Sequence, residues 1–154
     1  CGGGTEETRT LAEHCRLTGV DLSAEQLRRA RDRIPGAEFV QDDITELDAE
    51  PGSLDAVAAF YVLNHVPRDL LFDLFSRVHR WLVPGGLFLA TLGAEDLPCW
   101  TGEWLGQPTH FAGFTPDTNR RLLADAGFEL EHDELVSIRE PEGEATFHWV
   151  LATR

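Results

Sequence analysis

Apolar positions recur with two different periods along the chain, and the switch between them predicts the order of elements. Over residues 68–82, Leu71, Leu74, Phe75, Val78 and Leu82 fall at helical spacing, one apolar face on an otherwise polar helix. Leu54–Tyr61 (LDAVAAFY) is instead nearly continuous in apolar residues, the pattern of a central parallel strand buried on both faces. Arg16–Asp21 (RLTGVD) and Ala37–Gln41 (AEFVQ) read as two further short strands, and residues 5–14 as weakly helical. Punctuation residues place the ends. Ser23 and Gln26 have capping-box spacing for a helix that stops near Arg33, ahead of Pro35. Pro84-Gly85-Gly86 breaks the chain before a strand LFLATL at 87–92. Thr115 as N-cap and Pro116 as first helical residue open a last helix that Gly127 closes. FELEHDELVSI then faces FHWVLAT across the acidic loop REPEGEA, which predicts a terminal strand pair.

Strands alternating with helices and ending in a strand pair predict an α/β fold: a doubly wound, Rossmann-like, mostly parallel sheet with a C-terminal antiparallel hairpin. A length of 154 residues, 42% of them hydrophobic, fits a single domain over 1–154 with room for one core. Glycines as dense as those of CGGG normally follow a strand and open a helix, so the expectation is a first strand missing upstream of residue 1. In this fold class, ligands lie beyond the carboxyl ends of the strands. Four signals fall there: Gly2-Gly3-Gly4, Asp21, Asp42-Asp43-Ile44, and Phe60-Tyr61 through His65. Together they outline one expected groove.

Charge narrows the partner. Twenty-seven acidic residues face 13 basic ones, every one an arginine, and the net charge of −14 disfavours a phosphate backbone, so nucleic acid is not expected. The longest apolar run, AVAAFYVL at 56–63, is too short to cross a bilayer, and no secretory leader pattern opens the chain. The expected setting is cytoplasmic, without a membrane, as a monomer or homodimer. Cysteines at 1, 15 and 99 lack C-x-x-C spacing and suggest neither a disulfide framework nor a metal site.

The strand-end residues have a shared chemical rationale. Glycines allow close backbone approach, and the helix start behind them offers unpaired N–H groups to an anion. Asp21 lies 17 residues beyond Gly4, near the spacing at which an acid accepts hydrogen bonds from both hydroxyls of a ribose. Asp43 suits an exocyclic amine of adenine, with the Ile44 N–H at a ring nitrogen and its side chain on the ring face. Asp42 reads as a turn cap.

The order CGGG, LTGVDLS, FVQDDI, LDAVAAFYVLNHV and RWLVPGG resembles the class I S-adenosylmethionine-dependent methyltransferases, specifically their small-molecule branch, across nearly the whole chain. That resemblance makes Gly2 and Gly4 the second and third glycines of the family's motif, with Gly3 between them, and S-adenosylmethionine the cofactor. It implies that Asp21 holds the ribose with Leu22 beside the adenine, that Asp43 and Ile44 contact the base, and that Phe60 and Tyr61 pass near the methionyl moiety. The stretch Asn64-His65-Val66 would border the transferred methyl group, and the Pro-Gly-Gly turn would be structural.

An aromatic stretch, CWTGEWLGQPTHFAGFTP at 99–116, falls within an insertion at about 97–116 that is positioned to cover an apolar acceptor. Asn64, His65, Trp104, His110 and Phe111 are the expected substrate-binding set for a small-molecule acceptor methylated at O, N or C. Sulfonium methyl transfer depends mainly on in-line positioning in a closed site, so few catalytic groups are obligatory. His110 and His65 are the candidate general bases. His148 is a third histidine of interest, whereas His14, His79 and His132 read as surface positions. Two other classes share the nucleoside groove: a regulatory protein that binds S-adenosylmethionine without catalysis, and an NAD(P)-dependent oxidoreductase, which would need further catalytic elements in a chain with no lysine.

Overall fold

The computed structural model describes residues 3–104, 106–140 and 143–154. Gly2, expected in the glycine turn, lies outside the described residues. The chain is α/β and divides into two compact units, Cys1–Asp48 and Ala49–Arg154.

In the first unit, α1 (Glu6–His14), β1 (Thr18–Asp21), α2 (Ala24–Arg33) and β2 (Glu38–Gln41) alternate. β1 and β2 pair in parallel, from Thr18 opposite Glu38 to Asp21 opposite Gln41. The expected cap of α2 is in place, Ser23 Oγ accepting from the Gln26 N–H at 3.3 Å, and α1 is capped by Thr5 Oγ1, which accepts from the Thr8 N–H at 3.4 Å. Leu27, Ala30, Ile34 and Phe39 form the core, with Ala12 and Ala37 against it. No residue of α1 is fully buried, in keeping with its weak amphipathic pattern.

The second unit holds β3 (Leu54–Ala59), a 3-10 turn (Leu63–His65), α3 (Arg68–Trp81), β4 (Leu82–Gly93), β5 (Leu97–Trp104), β6 (Gln107–Gly113), α4 (Pro116–Asp125), β7 (Glu129–Glu140) and β8 (Gly143–Thr153). Its main sheet runs β3-β4-β8-β7. β3 and β4 are parallel, while β4–β8 and β8–β7 are antiparallel. This four-stranded sheet is therefore mixed, parallel only between β3 and β4. The helical spacing of α3 is realised in full: Leu71, Leu74, Phe75 and Val78 are all buried. Phe88 of β4 lies 6.1 Å from the Phe75 ring and stacks on Phe128 at 5.2 Å. Each such side chain contributes about 1.5–3 kcal/mol when fully buried.

Several expectations are corrected. β3 pairs only with β4 among the described strands and leaves Ala56 and Ala58 exposed, so its apolar run does not signal burial on both faces. β4 begins at Leu82 and passes through Pro84-Gly85-Gly86, because an irregularity between Leu54 and Ala56 accommodates the turn within the strand. β5 and β6 pair as an antiparallel ribbon where an aromatic-rich connection was expected. The loop expected at 139–145 is shorter, since Arg139 still pairs with Glu144. His79, expected at the surface, is half-buried: its ring meets Phe128 edge-on at 5.2 Å and lies against Gly127, whose φ of 100° suits a helix-terminating glycine. His14 and His132 are exposed as expected. Among the described residues no helix is long and apolar enough to cross a membrane.

Candidate active site

The predicted residues fall into two groups, one on each unit. In the first unit they stand at the carboxyl ends of β1 and β2. Asp21 ends β1, and its Oδ1 accepts the Ser23 N–H at 3.0 Å, which ties the carboxylate to the start of α2. Leu22 beside it is two-thirds exposed, at 65%. At the end of β2, Asp42 Oδ1 accepts the Asp43 N–H at 2.8 Å, the turn-capping role expected of it. Asp43 Oδ1 accepts from both the N–H and the hydroxyl of Thr45, at 2.8 and 2.7 Å, and so builds an Asx turn that presents Ile44 half-buried. The two strand ends are joined directly, Asp42 N–H to the Asp21 carbonyl at 3.4 Å and Gln41 Nε2 to the Leu22 carbonyl at 3.0 Å. Asp21 and Asp43 thus share one rim of one parallel sheet.

Gly3 and Gly4 adopt φ of 74° and 75°, a turn that side-chain-bearing residues rarely make. Their close approach is to α2: a Cβ on Gly4 would meet Ala30 Cα at 3.1 Å, and one on Gly3 would meet Gln26 Oε1 at 2.5 Å. Arg33 Nη1 donates to the Gly3 carbonyl at 3.0 Å. The glycines therefore have a packing role that stands whether or not a ligand sits on the turn.

In the second unit, Phe60 and Tyr61 follow β3, each about two-fifths exposed. Tyr61 has φ of 55°, the one positive value at a non-glycine residue among those described, and its N–H donates to Thr91 Oγ1 at 2.5 Å. The Phe60 ring lies 5.2 Å from Trp149, and Tyr61 meets Phe147 edge-on at 4.9 Å. The structure brings four of the five expected substrate-binding residues, His65, Trp104, His110 and Phe111, into contact. His65 Nδ1 donates to the His110 carbonyl at 2.9 Å, so its Nε2 carries the lone pair when the ring is neutral. The Phe111 ring lies 4.9 Å from His65 and 5.8 Å from Trp104. Asn64, next to His65 on the 3-10 turn, adds a buried amide oxygen without a hydrogen-bond partner among the described residues.

His110 Nδ1 lies 3.6 Å from Cys99 Sγ, while its Nε2 is buried and without a partner among the described residues. In the tautomer protonated at Nδ1, Nε2 is left as an acceptor, the form a general base needs. Sequence reasoning missed Cys99, Thr91 and Trp149. Thr91 alone carried a signal, as a polar residue in the apolar strand LFLATL.

His148 belongs to a different arrangement. It is fully buried, with Nε2 2.7 Å from Asp133 Oδ2 and Nδ1 3.3 Å from Asn119 Nδ2. The Asn119 amide also donates to the Gly93 carbonyl at 2.8 Å, so its two protons fix His148 Nδ1 as acceptor and Nε2–H as donor. The Arg120 guanidinium, followed by the His148 ring, holds the Asp133 carboxyl below the usual carboxylate range. This network joins α4, β7 and β8 and serves structure.

A family described as "Methyltransferase domain" matches residues 1–86, more than half of the chain. A trans-aconitate 2-methyltransferase of Rhodopseudomonas palustris is 39% identical over 112 residues, covering 71% of this chain and 39% of that protein. A fatty-acid O-methyltransferase of Mycolicibacterium smegmatis is 36% identical over 104 residues, covering 64% of this chain and 37% of that protein. The chain spans about two-fifths of the length of these curated relatives. Among solved structures, a SAM-dependent methyltransferase from Methanosarcina mazei superposes with a TM-score of 0.83 at 21% identity, covering 100% of this chain and 89% of the other. From the glycine turn through the strand-end acids to the extent of the match, the conclusion is that the chain belongs to the methyltransferase domain family, within the class I S-adenosylmethionine-dependent group that its motifs resemble.

Proposed function

We propose that the protein transfers a methyl group from S-adenosylmethionine to a small-molecule acceptor, and that residues 1–154 act as one methyltransferase domain of the doubly wound type. The observation that carries this reading is the shared rim in the first unit, where Asp21 and Asp43-Ile44 close adjacent parallel strands in register. Asp21 keeps one carboxylate oxygen on the Ser23 N–H and is assigned to the ribose hydroxyls; Leu22, Asp43 and Ile44 are assigned to the adenine, and the Gly3-Gly4 turn to the polar end of the same molecule. The bound cofactor would supply an electrophilic methyl on a good, neutral leaving group.

The chain's own residues orient the acceptor and exclude water. Phe111, with His65 tilted against it at 4.9 Å and Trp104 edge-on at 5.8 Å between ring centroids, gives an aromatic wall. The unpartnered Asn64 Oδ1 and His110 Nε2 favour a ligand that completes them, since buried polar atoms are rarely left unpaired. For a hydroxyl acceptor, His110 Nε2 takes the proton as the oxygen becomes nucleophilic; a carboxylate needs no base. The relative named as a fatty-acid O-methyltransferase favours an oxygen nucleophile. The test is to incubate the full-length protein with methyl-labelled S-adenosylmethionine and trans-aconitate, decanoate or catechol. Labelled ester or ether is expected; label that never leaves the donor, despite tight binding, would instead indicate a non-catalytic binding protein.

A further inference from the structure

Three buried side-chain polar atoms have no hydrogen-bond partner among the described residues: Asn64 Oδ1, His110 Nε2 and Trp149 Nε1. The first two belong to residues already assigned to the acceptor. The third comes from β8, a strand with no expected part in binding, and its position is well defined. Trp149 pairs across the sheet with Thr91. Thr91 in turn anchors the Tyr61 N–H, the contact that accompanies the left-handed turn after β3. Phe60 tilts against the indole at 5.2 Å and Tyr61 meets it edge-on at 5.9 Å. The indole body is thus packed by two rings that remain about two-fifths exposed, while its N–H is shut off from bulk water.

An indole N–H only donates, and burying it unpaired carries a desolvation penalty that a ligand atom relieves. Tryptophan is used in this way where an apolar body must pack while one polar tip finds a partner. Phenylalanine would also stack on the Phe60 and Tyr61 rings, without a polar atom to desolvate, so contact with those rings does not by itself call for the nitrogen. The partner must be an acceptor atom lying on the aromatic patch of Phe60 and Tyr61.

We propose that Trp149 is an acceptor-binding residue whose indole N–H donates to an unprotonated oxygen, carboxylate or carbonyl, of the small molecule that is methylated. The proposal rests on the methyltransferase reading and deepens it, adding a residue and the class of oxygen it takes. Asn64 and His110 then serve the protonated or reacting part of the ligand, and Trp149 orients the acceptor from the β8 side.

The test follows the indole N–H resonances of the full-length protein labelled with 15N-tryptophan, Trp149 being identified from the signal missing in Trp149→Phe. S-adenosylhomocysteine is added first, then trans-aconitate, decanoate or benzoate. The expected result is a downfield shift of the Trp149 N–H on adding an oxygen-acid probe, beyond any change that S-adenosylhomocysteine causes. Trp149→Phe should weaken that probe's binding about tenfold, the loss of one ordinary hydrogen bond, and leave S-adenosylhomocysteine binding unchanged. The N–H shift is read on the unsubstituted protein and needs no variant to fold.

Two results would overturn the proposal: equal probe binding by Trp149→Phe, or no movement of the Trp149 resonance when any of the three probes is added to the S-adenosylhomocysteine complex. Failure to bind S-adenosylhomocysteine at all would instead count against the methyltransferase reading, so the two failures are told apart.

Discussion

Substituting Gly113 by alanine tests how β6, with His110 and Phe111, is held on the main sheet. Gly113 ends β6 against Gly93 at the end of β4. A Cβ on Gly113 would stand 3.1 Å from Gly93 Cα and 3.2 Å from the Glu95 carbonyl oxygen, and the reciprocal Cβ on Gly93 would stand 2.9 Å from Gly113 Cα. All of these are backbone atoms, which cannot rotate away as a side chain does. Neither glycine has a positive φ, so the penalty is steric rather than torsional. Overpacking of this kind costs about 1–3 kcal/mol. For a domain of this size that lowers Tm by roughly 2–4 °C per kcal/mol. Gly36 supplies the control, since a Cβ there meets nothing within 4 Å and its φ is not positive; Gly36→Ala should be neutral or stabilise by about 0.4–1 kcal/mol through the unfolded chain. Urea titration of the full-length variants reads the difference as a shift in midpoint at unchanged slope. Equal midpoints for Gly113→Ala and Gly36→Ala would refute the close crossing of β4 and β6.

His110→Ala is expected to lower turnover on a hydroxyl acceptor about a hundredfold or more while leaving S-adenosylhomocysteine affinity intact; steady-state kinetics with parallel calorimetry separate the two, and unchanged turnover removes His110 from the chemistry. Burial, and then the nearby Arg154, push the His79 imidazole below the ordinary histidine range, against a hydrogen bond to the Gly127 backbone. The unfolded chain therefore binds more protons than the folded one, so the stability His79 contributes is present above about pH 6.5 and is lost as pH falls toward the depressed folded value. His79→Phe should flatten that part of the stability profile measured by urea titration from pH 5 to 8, and a profile no flatter than that of the unsubstituted protein would contradict the assignment.

Local signals in the sequence anticipate what they control. Ser23 and Thr115 cap their helices, Gly127 ends α4, and the apolar spacing over 68–82 matches the buried face of α3 because each of these is decided within a turn or two of chain. The strand-end acids are legible for the same reason, since a short β1 must end where Asp21 and Ser23 open α2. Features set by distant pairing are not. The β5–β6 ribbon is interrupted by Pro98, Gly102, Gly106 and Pro108, which hide its alternation, and Trp100 folds over Gly102 with ring atoms 2.5 Å from a Cβ placed there. β3 has the composition of an interior strand, yet its burial depends on which strands pair with it, which composition does not encode. The unpaired Trp149 N–H is beyond any reading of FHWVLAT, because pairing or its absence at one atom is a property of the packed neighbours.

Adenosine recognition by the carboxyl ends of β1 and β2 is most directly measured by calorimetric titration of the full-length protein, and of its Asp21→Ala variant, with S-adenosylhomocysteine. The unsubstituted protein should bind, and the variant, melting at an unchanged temperature, should bind roughly tenfold to a hundredfold more weakly, as expected when hydrogen bonds to a charged carboxylate are lost. Wild-type affinity in the variant, or no binding by the unsubstituted protein, would contradict it.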